Sequence, residues 1–219
     1  MKIYVVGNTK NKFLPLDNIR EKFLVDQPHD DNNIDNLNPW YCELTGLYYL
    51  WKNCNDEIVG LEHYRRYFVN DKNQLLSEKE IEEILKNNDI ILYKWLYNSV
   101  FENMIGLNYH RELKFILDLI EVLYNKEMHD FFENNIKQKG EYEGNMFICN
   151  KEIINEYCMF LFPLLAKFDE CHKFRINRID GYMAESLFGT WMQYKQKKIY
   201  DCPRITLDKN LLYELKGHV

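Results

Sequence analysis

The sequence predicts an α/β fold, one domain built on a mixed sheet flanked by helices, and three observations predict it. Short apolar runs of strand length recur at 2–7, 57–62, 89–93, 145–149 and 198–202. Segments of helical period fall between most of them, which is the pattern of a layered α/β sheet. The length of 219 residues fits one such domain and leaves little room for a second core.

The elements follow in order. Residues 2–7 (KIYVVG) read as a buried strand, closed by the turn chemistry of Gly7-Asn8-Thr9. Ligands of α/β sheets gather at the carboxyl ends of strands, so Val6, Gly7, Asn8 and Thr9 are the first candidate site residues. Residues 26–39 are polar, rich in Asn and Asp and without period, which predicts a long loop of the kind that often carries function. A helix is then expected with Asn38 as its cap and Pro39 in its first position. Trp40, Leu44, Leu47 and Trp51 share its core face. Tyr41, Thr45 and Tyr48 share a flank that serves either a ligand or a neighbouring loop.

The strand at 57–62 runs straight into His63-Tyr64-Arg65-Arg66-Tyr67-Phe68. Two adjacent arginines among aromatics are expensive in a core, because each guanidinium needs a partner. They suit a diphosphate, held bidentately, equally with a solvated edge or acidic neighbours. Ser77 and Glu80 form a capping box that opens a helix over 78–87, and 89–93 is the next strand. A long helical stretch is expected over 109–135, with His110 best read as a satisfied core histidine. Asn145 beside Gly144 opens the strand at 145–149, which marks a close backbone approach or a simple turn. Helices at 151–167 and 181–195 precede the last strand. In the second, Asp180 takes the cap position and Met183, Ala184, Leu187 and Trp191 the buried stripe, with Glu185 off it. Either carboxylate suits a general base, and Arg175 and Arg178 suit phosphate; the plain alternatives are a cap, a solvated glutamate and arginines paired to them.

Composition closes several routes. The net charge of −6 and pI near 5.6 leave no basic field for nucleic acid. No apolar run approaches the roughly 20 residues that span a bilayer, and the first residues do not form a signal peptide, so a cytoplasmic protein is expected. The six cysteines include no C-x-x-C pair and read as reduced, mostly buried thiols. Phosphate-loop, dinucleotide, nucleophile-elbow and H-E-x-x-H signatures are absent from the sequence. No cluster of metal-binding carboxylates is evident beyond the loop acids Asp30, Asp31 and Asp35, so a metal-dependent hydrolase or phosphotransferase has little support.

Four segments, NPWYCELTGLYYLWKN (38–53), VGLEHYRRYF (59–68), NMFICNKEIINEYCMFLFPLL (145–165) and RIDGYMAESLFGTWM (178–192), resemble in the same order the motifs of one bacterial family. That family was long catalogued as a domain of unknown function; its members are glycosyltransferases of capsular, exopolysaccharide and O-antigen clusters. The resemblance implies a GT-A-like, Rossmann-type sheet and a nucleotide-diphosphate sugar donor, most simply a UDP-sugar carrying galactofuranose, a hexose or a heptose. It implies an oligosaccharide or lipid-linked acceptor and leaves room for peripheral association with the inner face of the cytoplasmic membrane. It favours a functional reading of Tyr41, Thr45, Arg65, Arg66, Asn145 and Glu185. With the candidates read from the residues themselves, the expected donor contacts are Val6, Gly7, Asn8, Thr9, Tyr41, Thr45, His63, Arg65, Arg66, Asn145 and Arg178, the expected base is Glu185 or Asp180, and inversion is the simpler outcome. Where many GT-A enzymes carry a metal-binding Asp-x-Asp, this chain has Glu62-His63-Tyr64-Arg65-Arg66. No cofactor is therefore expected to be required, Mn²⁺ or Mg²⁺ included. Relatives usually place arginine after the last glutamate; here it is Ser186. The rival expectation is a non-catalytic carbohydrate- or nucleotide-binding module of a larger polysaccharide-synthesis protein.

Overall fold

The computed structural model describes residues 1–142, 144–172 and 176–207. Its centre is an eight-stranded mixed sheet. The strands are β1 (Lys2–Gly7), β2 (Arg20–Leu24), β3 (Ile58–His63), β4 (Arg66–Phe68), β5 (Ile90–Leu92), β8 (Phe147–Asn150), β9 (Ile199–Asp201) and β10 (Arg204–Thr206). A separate antiparallel ribbon joins β6 (Lys94–Ser99) and β7 (Lys139–Tyr142). Across the main sheet the order is β2-β1-β3-β8-β5-β9; only β8 opposes its neighbours, pairing antiparallel with β3 and β5. At the end of β3 the chain turns back through Tyr64 and Arg65 into β4, which pairs with β10.

Strand alternation divides the core between two faces. Ile90, Leu92, Phe147 and Cys149 enter the larger core, and Ile91 and Ile148 the smaller one. The larger face is covered by α2 (Leu44–Asn53), α5 (His110–Leu123), α6 (Lys126–Asn135), α7 (Lys151–Cys171) and α8 (Ile179–Tyr194). Across the smaller face lies α3 (Glu78–Leu85), anchored by Ile81 and capped as expected by Ser77 with Glu80. The mixed sheet flanked by helices is thus the architecture the strand and helix periods predict.

Local departures have local causes. The helix expected from Asn38 is two pieces, α1 (Asn38–Tyr41) and α2, because Cys42 adopts φ 52° and ψ −126°. Asn38 lies inside the first turn and makes no side-chain cap bond. Such a conformation in a residue with a Cβ stores about 1–3 kcal/mol of strain, and the Thr45 hydroxyl holds it by donating to the Cys42 carbonyl at 2.8 Å. The stretch at 109–135 is also two helices, since Asn125 caps α6 by accepting the Met128 N–H at 2.8 Å. Ser99 and Glu102 form a second capping box that opens α4 (Val100–Gly106). His110 starts α5, and its Nδ1 is buried with no hydrogen-bond partner among the described residues, so it is not the satisfied core histidine expected. All six cysteines are free thiols, four of them buried. Among the described residues no helix is long and apolar enough to cross a membrane.

Candidate functional site

The site begins where β3 ends. Its last residues alternate between faces: Leu61 enters the larger core, whereas Glu62 points the other way and is completely buried. Glu62 accepts from Arg20 Nε at 2.8 Å and from the Phe68 N–H at 3.0 Å. Arg20 in turn donates to Asp17 at 2.6 Å and to the Leu76 carbonyl at 3.1 Å. The first charge of the EHYRR segment is therefore answered inside the fold. His63 and Arg66 stand directly opposite each other across the hairpin and so project to one side of it. Tyr67 fixes the turn, donating its hydroxyl to the Tyr64 carbonyl at 2.9 Å and accepting the Leu14 N–H at 3.2 Å. Leu207 donates its N–H to the Arg65 carbonyl at 2.7 Å.

The α1–α2 break and the start of α8 meet beside this hairpin. Arg178 precedes α8 in the left-handed conformation, φ 66°, and donates its N–H to the Pro39 carbonyl at 2.9 Å. Its guanidinium lies 5.4 Å from the centre of the Tyr182 ring and bonds the Cys42 thiol. Burial, together with the neighbouring Glu43 carboxylate, pushes that thiol up to about 11. Asn145 joins the two segments, donating to Glu43 at 3.0 Å and to the Gly181 carbonyl at 3.4 Å.

Between these parts lies a cleft of about 540 Å³. Arg65, Arg66 and Arg178 bring positive charge to its wall, Glu43, Glu102 and Glu185 negative charge, and Trp95, Met104 and Leu107 an apolar side. His63 reports the balance. Burial first, then Arg66, Arg65, Arg178 and Arg204, push its pKa down to about 3, so the imidazole is neutral near pH 7. A small separate pocket of about 20 Å³ shares Glu43, His63 and Arg66 with the cleft and is also lined by Gly144 and Asn145.

The structure gathers some predicted residues and disperses others. His63, Arg65, Arg66, Arg178 and Glu185 line one cleft. Asn145 lines the small neighbouring pocket and not the cleft, and is buried in its bonds to Glu43 and Gly181. Tyr41 is not at the cleft: it is buried, with its hydroxyl 3.2 Å from Asp169 on α7. Thr45 is likewise interior, because the break at Cys42 turns the expected polar flank inward. Asp180 is not the cap, a position taken by Arg178; it lies in the first turn and is completely buried. Of the two carboxylates only Glu185 lines the cleft. Val6, Gly7, Asn8 and Thr9 stand one strand away, outside this lining, with Tyr64 between: the Val6 carbonyl accepts the Tyr64 N–H at 2.9 Å. A Cβ on Gly7 would lie 2.9 Å from that of Tyr64, so the close approach there requires glycine. Thr9 is tied to Asp26 at the base of the loop, and His29 closes the loop on Asp35 at 3.0 Å. Arg175 lies outside the described residues. Glu43, Trp95, Glu102 and Tyr182 also line the cleft and were not singled out, whereas Ser186 was noted only as standing where relatives carry arginine; of the four, Glu102 gave a readable local signal through the Ser99-x-x-Glu102 pattern.

Among the described residues no group of three or more His, Cys, Asp and Glu is placed to hold a metal ion. The fold is similar to that of WbbM, a bifunctional glycosyltransferase solved in its apo form, with a TM-score of 0.80 at 23% sequence identity. The match covers 95% of this chain and 45% of that one, so the chain spans less than half the length of the protein it resembles. No curated protein matches the sequence. Residues 2–197 match the model of the family described as a domain of unknown function, DUF4422, and the chain belongs to that family.

Proposed function

We propose that this chain transfers a glycosyl group from a nucleoside diphosphate sugar to a saccharide hydroxyl. One observation carries the reading: three arginines, a neutral histidine and the carboxylate of Glu185 line one cleft. The likeness to the fold of a bifunctional glycosyltransferase supports the same class. In this reading Arg65, Arg66 and Arg178 receive the diphosphate, and Glu185 takes the proton of the acceptor hydroxyl. The acceptor oxygen forms its bond to the anomeric carbon as the bond to the diphosphate breaks, and the electron pair leaves with the phosphate oxygen. Charge grows on that oxygen in the transition state, where fixed guanidinium donors act most strongly. Direct displacement of this kind inverts the anomeric centre.

Arginine charge takes the place of a metal in this scheme, so metal independence is part of the proposal. A UDP-sugar is the first donor to test, with the nucleoside directed past Tyr64 toward Gly7 and Thr9. An acceptor in capsular or other surface polysaccharide synthesis fits the motif resemblance. The test is release of free nucleoside diphosphate from a panel of nucleotide sugars. Turnover by the unmodified chain and its loss in Glu185→Gln support the proposal; binding of donor without release would make the chain a carbohydrate- or nucleotide-binding module.

A further inference from the structure

A second cavity of about 180 Å³ adjoins the arginine cleft at Glu185 and Ser186, which line both spaces. The volume far exceeds the roughly 10–15 Å³ that a single water occupies on the same measure. Its wall is built by α8, whose successive turns carry the lining from Tyr182, Glu185 and Ser186 in the cleft to Gly189, Thr190 and Gln193 in the cavity. The facing wall is the β6–β7 ribbon. A Cβ on Gly189 would lie 2.7 Å from that of Tyr142, so the ribbon reaches the helix only because residue 189 is glycine.

We infer that this cavity is an acceptor site for an anionic saccharide. The inference rests on the glycosyl-transfer reading, and three features carry it. The side-chain amides of Asn135 and Gln193 bond each other at 3.0 Å and Thr190 bonds Asn135 at 3.0 Å, which fixes a set of donors and acceptors of the kind sugar hydroxyls use. Tyr142 adds an aromatic wall, and Lys94 lies 5.5 Å from its ring centre. Among the described residues that line the cavity, Lys94 and Lys139 supply two positive charges and Glu185 one carboxylate, while the Asp201 carboxylate, outside the lining, is engaged by the Tyr142 hydroxyl. That balance selects an acceptor whose reacting sugar sits beside a phosphate or a carboxylate. Glu185, shared by the two spaces, stands where an acceptor hydroxyl must lose its proton before attacking a donor held by the arginines.

The test is a binding titration followed by saturation-transfer NMR, using glucose 1-phosphate, glucuronic acid and glucose as probes. It is run in the Arg65→Ala/Arg66→Ala background, which removes two of the three arginines from the donor cleft, and Lys94→Ala then separates an anion bound in this cavity from one held by Arg178. At least one anionic probe is expected to bind, with glucose at least about 10-fold weaker. The phosphate and carboxylate arms identify which anion the site takes. Adding Lys94→Ala or Gln193→Leu should weaken the bound probe by at least about 10-fold. If Gln193→Leu unfolds the chain, Lys94→Ala at the rim of the cavity decides alone. No anionic probe bound, or binding indifferent to Lys94→Ala, overturns the inference. Because the readout is binding, a chain that binds the probe here but turns over no donor would refute glycosyl transfer and leave the site standing.

Discussion

Arg20 and the arginines of the cleft sit on opposite sides of the same strand end and meet opposite fates. Arg20 is completely enclosed and met by Glu62, Asp17 and the Leu76 carbonyl. Around His63, burial and then the charges of four arginines hold the imidazole neutral down to about pH 3. The first arrangement is self-contained and belongs to the fold. In the second, positive potential is concentrated on the wall of an open cleft, the arrangement expected where an anion is to be received. Adjacent positions in one motif thus serve different ends: Glu62 holds the strand end in place, and His63, Arg65 and Arg66 line the cleft.

Breaking the enclosed pair should give the largest effect. Arg20→Leu leaves Glu62 buried without its partner and should cost about 3–5 kcal/mol, read as a lowered urea midpoint at unchanged slope. Glu185→Gln should reduce donor turnover by at least about 100-fold, roughly 2.7 kcal/mol, with little change in melting temperature. Arg65→Ala and Arg66→Ala should each reduce turnover by at least about 10-fold, roughly 1.4 kcal/mol, on a folded chain. Lysine restores charge without the planar fork and should rescue only in part. A smaller effect sharpens the contrast through pH. The folded-state pKa of His63 lies below its unfolded value, so the unfolded chain binds the proton more readily. Its contribution to stability is complete above about pH 6.5 and is lost as pH falls toward 3, by about 1 kcal/mol between pH 6 and 5. Urea titrations at the two pH values should show this difference in the unmodified chain and a smaller one in His63→Gln. EDTA should leave turnover unchanged; abolition restored by Mn²⁺ would show that the arginines do not act alone.

The strands and the capped helices were legible because their signals are local. Ile90-Ile91-Leu92 and Phe147-Ile148-Cys149 are apolar runs, and Ser77 with Glu80 is a capping box within four residues. β2 was missed because Arg20-Glu21-Lys22 masks its two buried positions, and Arg20 finds its partner 42 residues away. The ribbon was missed because Lys94–Ser99 lacks a regular apolar alternation. Tyr41 and Thr45 went astray at Cys42, where a residue with a Cβ takes a conformation that no composition rule anticipates. The strand-end arginines were recognised as a pair needing an anion, since that follows from their desolvation wherever they sit. Their assembly with Arg178 and Glu185 depends on the tertiary meeting of β3, α1 and α8, which one sequence does not display.

The central claim is that the cleft-lining arginines receive a diphosphate, and calorimetric titration with UDP tests it most directly. The unmodified chain should bind UDP, with affinity falling as salt rises. Arg65→Ala/Arg66→Ala should weaken that binding by at least about 10-fold while the melting temperature holds. Equal affinity in the two folded proteins, or no binding of any nucleoside diphosphate, would contradict it.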